Sequence, residues 1–143
     1  MPDSSHQSAY LNAQRQHLDE CEHDIASLAA ILRERAWSRI ERHGAERTLQ
    51  ILIEACIGLA KHWTRQETGR VSRDAVTGFE RLRDAGKIDV NTPWRKIIGL
   101  RNVLVHDYLD VDPEIIESVI ADGYYRTMLD FGRQALEALE HSR

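Results

Sequence analysis

Apolar positions recur along the chain at the three- and four-residue spacing of amphipathic helices. Near the start, one apolar stripe keeps this spacing without a proline or glycine to interrupt it: Leu11, Leu18, Cys21, Ile25, Leu28 and Leu32. A second stretch, from Ala45 to Trp63, is apolar over a wider arc of the helical wheel, and a shorter amphipathic stretch runs from Arg70 to Lys87. We predict a helix for each of the three, and the wide arc of the second indicates neighbours on more than one side.

Capping residues and prolines mark the remaining helices. Thr92 is the predicted N-cap of the fourth helix, with Pro93 as its first residue. Asp112 and Pro113 repeat this arrangement before a last helix, which we expect to bend or break near Gly123. The pattern as a whole predicts an all-α fold with four to five main helices.

Length and composition indicate a single globular domain over residues 1–143. Of the 143 residues, 42% are hydrophobic and 29% are charged, which is enough to bury one core and too little for two domains of ordinary size. We expect both termini to fray. No uncharged apolar run approaches the ~18 residues of a membrane helix, and the first ten residues lack the pattern of a signal peptide. A cytoplasmic location is therefore expected.

The charge and the cysteines restrict the classes of function. A formal net charge of -4 argues against a protein that coats nucleic acid through bulk charge, although a local site remains compatible with it. Cys21 and Cys56 lack a second cysteine at metal-ligand or redox spacing, so we interpret them as buried free thiols. His17, Cys21 and His23 have partial metal-ligand character but lack a fourth ligand. We predict neither a metal nor a cofactor.

The candidate chemistry lies between Trp94 and Asp110. A helical wheel places Arg101 in the middle of an apolar arc formed by Ile97, Ile98, Leu100, Leu104 and Val105. An unpaired buried guanidinium is costly, so Arg101 must form an ion pair, reach a solvated cleft or bind an anion. Glu54, among the apolar residues of the second helix, is either its partner or part of the cleft.

Beside this arc lie Gly99, Asn102 and His106, the last two of which are neighbours on the helix surface. A glycine inside a helix is understandable if another helix or a ligand approaches closely. With Arg101 and Tyr108 the group supplies an anion clamp, an orienting amide, a proton-transfer group and a phenol, which suits phosphoryl chemistry. Structural roles remain open for each residue: a core ion pair for Arg101, a helix-end cap for His106 and core packing for Tyr108.

These residues carry a resemblance to a known family. The segment from Arg101 to Tyr108 resembles the signature of HEPN-domain ribonuclease toxins and, more narrowly, of the HepT family. It has Arg101, then four residues, His106, one residue and Tyr108, with Asn102 directly after the arginine. The longer segments TPWRKIIGLRNVLVHDY and ERTLQILIEACIGLAKHW also resemble this family. The resemblance covers most of the chain between Glu46 and Ala138, whereas residues 1–20 match nothing recognisable.

The resemblance implies a HEPN-like helical bundle and a metal-independent endoribonuclease toxin that cuts RNA, with Arg101, Asn102 and His106 as its catalytic residues. Such an enzyme must deprotonate the 2′-hydroxyl, stabilise the charged transition state and protonate the leaving oxygen. Two proton transfers are more easily served by two histidines. We therefore expect a homodimer with a composite site, in which Gly99 lets the helices approach.

The resemblance also implies a partner and a regulatory site. In HepT-like toxins a cognate MntA-like nucleotidyltransferase antitoxin transfers adenylate to the tyrosine that Tyr108 matches. Attached AMP would place bulk and negative charge beside His106 and repel RNA. The alternative is a non-catalytic helical module that helps a nucleotidyltransferase bind its substrate and keeps the motif only as a binding surface. The histidine of the motif favours the enzyme.

Overall fold

The computed structural model describes residues 2–141, with side chains from residue 6 onward. It contains six α-helices and one 3-10 helix: α1 (Pro2–Glu34), α2 (Arg39–Thr68), α3 (Ala75–Asp84), α4 (Trp94–His106), the 3-10 helix (Tyr108–Asp110), α5 (Pro113–Ala121) and α6 (Tyr125–Glu140). The all-α prediction is confirmed, and residues 2–141 contain no strand. The count exceeds the predicted four to five because the last helix breaks at Gly123, at φ 81°, which was one of the two outcomes expected there.

The two long helices form the centre of the bundle. The predicted stripe of α1 is buried from Leu11 to Leu28, and Leu32 is half-buried. Trp37 closes the corner between the helices by donating its indole N–H to the Leu28 carbonyl oxygen over 2.9 Å. α2 contacts each of the other α-helices, which explains its wide apolar arc.

α2 begins six residues before the predicted Ala45. Ser38 and Glu41 form a capping box, in which the Ser38 hydroxyl accepts the Glu41 amide and the Glu41 carboxylate accepts the Ser38 amide. The sequence Ser-x-x-Glu at 38–41 was the available signal for this start. At the other end Gly69, at φ 72°, closes the helix.

Of the three later helix starts that were predicted, two are wrong and one is right. α3 begins at Ala75 because the Asp74 carboxylate accepts the Thr77 amide at 2.8 Å. Thr92 is not the N-cap of α4: Pro93 takes that position, and the Trp94 amide already bonds to the Thr92 carbonyl at 2.9 Å. The prediction for the last part of the chain is confirmed, since Asp112 accepts the Glu114 amide ahead of Pro113 at the first helical position.

An aromatic cluster anchors the first turn of α4. The Trp94 and Phe79 rings stack with centroids 3.9 Å apart, and Trp94 meets Phe131 edge-on at 4.9 Å. Trp63 of α2 reaches the same Phe131 at 6.1 Å. Aromatic side chains of three other helices therefore surround the beginning of α4, while Val105 and His106 at its end are exposed. No helix among the described residues is long and apolar enough to span a membrane.

Candidate active site

Arg101 lies on the flank of the α4 face that packs into the core. Ile98 and Leu104 are buried, whereas Val105 is 39% exposed. The Arg101 side chain is 22% exposed to solvent, and its Nη1 lies 4.0 Å from Oε2 of Glu54 on α2. Of the possibilities open from the sequence, two are present together: Arg101 pairs with Glu54 and also lines a solvated groove.

A short polar chain supports Arg101. Its Nε donates to Oδ1 of Asn102 at 2.9 Å, and Gln50 Nε2 donates to Oε1 of Glu54 at 3.2 Å. Because the Glu54 side chain is 45% exposed, the ion pair contributes no more than about 1 kcal/mol to stability. These contacts therefore orient the guanidinium more than they stabilise the fold. Gln50 was not predicted as part of the site, although its position four residues before Glu54 on the same helix indicated that the two side chains could meet.

His106 is the last residue of α4 and its side chain is exposed. Within the described part of the chain its imidazole has no hydrogen-bond or ion-pair partner, so it does not cap a carbonyl. Asn102 lies one turn earlier and is also exposed, with its carboxamide oxygen engaged by Arg101. The imidazole is therefore free to exchange a proton with a bound molecule.

Tyr108 is 64% exposed, which excludes core packing for its ring. The last helical hydrogen bond of α4 runs from the Asp107 amide to the Val103 carbonyl oxygen, and the 3-10 helix follows directly. Leu109 beside it is 85% exposed. The phenol is thus accessible two residues after the histidine.

Grooves run along both sides of α4. One, of about 730 Å³, lies between α4, α5 and α6, and its walls are mostly apolar: Ile97, Gly99, Leu100, Val103, Val111, Ile115, Val119 and Met128 are among them. The other, of about 390 Å³, lies between α4 and the start of α3 and is lined by Arg95, Arg101 and Asn102 together with Asp74 and Glu80. A Cβ added to Gly99 would meet nothing within 4 Å, so no part of the described chain explains this glycine.

The other candidate ligands do not converge on a site. Among the described residues no group of three or more His, Cys, Asp or Glu side chains is placed to hold a metal ion. Both cysteines are buried and free, and burial raises the pKa of the Cys21 thiol to about 12. Their sulfur atoms contact main-chain carbonyls, of Thr48 for Cys21 and of Met128 for Cys56.

Comparison with known proteins relates this arrangement to a family. The family model described as "Ribonuclease HepT-like" matches residues 18–134. The mRNA nuclease HepT of Shewanella oneidensis is 32% identical over 74 residues, which cover 50% of this chain and 56% of that protein. The tRNA nuclease HepT of Aphanizomenon flos-aquae is 34% identical over 82 residues, which cover 53% of each. The chain therefore spans about half the length of these two curated relatives.

Two further likenesses cover more of the chain. A putative RNase of Archaeoglobus fulgidus is 32% identical over 108 residues, which cover 74% of this chain and 80% of that protein. A chain from the crystal structure of a toxin-antitoxin with AMP-PNP superposes with a TM-score of 0.69 over 91% of this chain and 97% of its own length, at 20% identity, which shows a shared fold. On the match of residues 18–134, the chain belongs to the HepT-like ribonuclease family.

Proposed function

We propose that this protein is the toxin of a toxin-antitoxin pair and acts as a metal-independent endoribonuclease. The observation that carries the proposal is the last two turns of α4, where an oriented Arg101 and an exposed His106, which has no partner among the described residues, lie five residues apart. Membership of the HepT-like family supports it, as do the curated relatives that are named nucleases.

The residues match the requirements of RNA cleavage through the 2′-hydroxyl. A base takes the 2′-hydroxyl proton, the 2′-oxygen bonds to phosphorus, and the bond from phosphorus to the 5′-oxygen breaks as that oxygen receives a proton. Arg101 binds the phosphate oxygens on which charge accumulates. His106 transfers the protons, and Asn102 keeps the guanidinium in place. The products are a 2′,3′-cyclic phosphate and a 5′-hydroxyl, so DNA is not a substrate.

The site is completed by a second copy of the chain. One copy supplies a single motif histidine, whereas the reaction uses a base and an acid. The surface around His106 supports a two-fold partner because Val105, Tyr108, Leu109 and Ile115 are exposed apolar side chains next to the apolar groove at Gly99. Clustered exposed apolar surface of this kind marks an interaction site.

Tyr108 is the site at which a nucleotidyltransferase antitoxin of the MntA type switches the toxin off. The phenol oxygen attacks the α-phosphorus of ATP, a Tyr-O–P bond forms and pyrophosphate leaves. The 64% exposure of Tyr108 supports access by another protein, and AMP this close to His106 would keep RNA phosphates out of the cleft. The toxin-antitoxin neighbour, whose crystal structure contains AMP-PNP, is in keeping with this scheme.

Incubation of the purified protein with single-stranded RNA in EDTA tests the proposal. Cleavage is expected for RNA and absent for the same oligonucleotide with a 2′-deoxy substitution at the cut position. His106→Ala should abolish cleavage, while His23→Ala, an exposed histidine on α1, should not. A wild-type protein that leaves RNA intact would instead favour the non-catalytic helical module.

A further inference from the structure

The chain from α4 to α5 passes antiparallel along α2. One direct contact and two indirect relations indicate this path. Trp94 and Trp63 of α2 both pack against the Phe131 ring of α6. Arg101 then pairs with Glu54. Finally Pro113 lines the same small cavity as Arg42. As the residue number rises along this segment, the partner's number on α2 falls, so residues 102–112 pass α2 between Glu54 and Arg42.

The α2 residues in this interval carry a basic face. His43, Arg47 and Gln50 precede Glu54 by eleven, seven and four residues, which places all four within an arc of about 60° on the helix. Arg39, one turn earlier still, borders the same arc. Helix geometry puts Arg47 about 10 Å along the α2 axis from Glu54, in the direction in which the chain runs after Arg101. Arg39, His43 and Arg47 are exposed.

Arg47 is one of the exposed arginines whose guanidinium is not held by a carboxylate among the described residues. In the described part of the chain neither Arg47 nor Arg39 forms an ion pair or a side-chain hydrogen bond. By contrast, Arg35 binds Glu41, Arg95 binds Glu80 and Arg101 faces Glu54. An exposed guanidinium without a partner is available to a phosphate in bidentate geometry.

The loop that follows the motif has the wrong sign for RNA. Asp107, Asp110 and Asp112 follow His106 and are exposed, and the whole chain has 23 acidic against 19 basic residues. A polyanion that approaches His106 along the aspartate loop is repelled, whereas one that approaches along α2 meets Arg47, His43 and Arg39 in turn. The distribution of charge therefore favours one direction of approach.

We propose that Arg47, flanked by His43 and Arg39, binds the phosphates of the RNA strand next to the scissile bond and seats that strand along the first half of α2. This assignment rests on the proposed ribonuclease function and adds a substrate-binding surface to it. Arg47 acts in binding and takes no part in the proton transfers.

Single-stranded RNA cleavage by Arg47→Gln and by the double variant Arg39→Gln/Arg47→Gln, over a range of salt concentrations, tests this. We expect KM to rise about threefold or more for each arginine while kcat changes little. The slope of log(kcat/KM) against log[salt] should become shallower by about 0.7 for each lost phosphate contact. The matched control is Arg83→Gln, an exposed arginine in the last turn of α3, near the end of α2 where Lys87 pairs with Glu67.

RNA binding is measured in parallel by fluorescence anisotropy, with each arginine variant placed in a His106→Ala background so that the RNA stays intact. If Arg47→Gln and Arg83→Gln bind RNA with equal affinity and show the same salt slope, the assignment of RNA binding to Arg47 is refuted, even if the wild type cuts RNA. A fall in kcat at unchanged KM would likewise overturn it. If the wild type binds RNA through Arg47 without cutting it, the proposed ribonuclease function fails and the binding surface stands.

Discussion

The Arg101 guanidinium on α4 and the Glu54 carboxylate on α2 face each other across 4.0 Å, a separation that orients the arginine without closing a tight ion pair. A phosphate oxygen can then replace the carboxylate at Nη1 while Asn102 still holds Nε. On the proposed function, Glu54 would compete with an incoming RNA phosphate for Arg101 and would also orient the guanidinium.

Glu54→Gln is expected to reduce kcat/KM about fivefold, equivalent to about 1 kcal/mol of transition-state stabilisation, because Arg101 loses orientation. The free energy of unfolding should change by less than about 1 kcal/mol, since both side chains reach solvent. Steady-state cleavage and urea denaturation check the two values. Glu80→Gln, which breaks the Arg95 ion pair at 2.7 Å, serves as the control. A rise in kcat/KM for Glu54→Gln would mean that competition outweighs orientation.

Substitution of the motif residues should remove activity and leave the fold in place. We expect Arg101→Ala and His106→Ala each to cost about 2 to 4 kcal/mol in the cleavage barrier, and to abolish the growth arrest caused by the wild-type chain expressed alone. Circular dichroism should show wild-type helicity, because His106 is exposed and Arg101 keeps part of its surface in water. Toxicity that persists in both variants would refute the ribonuclease assignment.

Tyr108→Phe should retain much of the RNA cleavage and escape neutralisation by the antitoxin. The measurement is intact mass after co-expression with the cognate nucleotidyltransferase: adenylate increments are expected on the wild type and not on the variant. Tyr124→Phe is the matched control, because Tyr124 is 63% exposed against 64% for Tyr108. Tyr125 is buried and burial raises the pKa of Tyr10 to about 12, so neither competes as a nucleophile. Increments that remain on Tyr108→Phe would move the modification elsewhere.

Gly99→Ala separates the stability of one chain from the stability of the proposed dimer. The added methyl group meets nothing in the chain, so helix propensity alone should stabilise the fold by about 0.5–1 kcal/mol. If α4 of a second copy approaches Gly99, the same methyl group weakens dimerisation, which light scattering over a concentration series would detect. Gly44→Ala on α2 is the control, because its new Cβ also meets nothing within 4 Å. An unchanged dimerisation constant would place the interface away from Gly99.

Much of the helical framework follows from local chemistry in the sequence. The stripe from Leu11 to Leu28 is buried as its spacing predicts, and Asp112 caps the helix that Pro113 opens. The predicted starts of α3 and α4 were wrong because a neighbouring residue took the N-cap position in each case. Asp74 caps α3, so the helix starts later than the apolar pattern indicated. The backbone at Pro93, with ψ 68°, is not helical, so Pro93 and not Thr92 is the N-cap of α4.

The candidate site was less predictable than the helices. A helical wheel placed Arg101 on the apolar arc, but its pairing with Glu54 depends on the register between α2 and α4, which is set by tertiary packing. The bond from Arg101 to Asn102 could not be foreseen, because adjacent residues on a helix do not face each other. The long arginine side chain makes this contact by folding back.

The aromatic cluster at Trp94 holds the first turn of α4, whereas Val105 and His106 at the other end of the helix are exposed. Amide protons exchange fastest where opening costs least, so we expect the amides that follow the buried Leu104 to exchange before those of the first turn. The proposed proton-transfer residue therefore lies at the end of α4 that we expect to open first. A molecule that binds over His106 would restrict that opening, and part of its binding free energy would offset the conformational entropy lost.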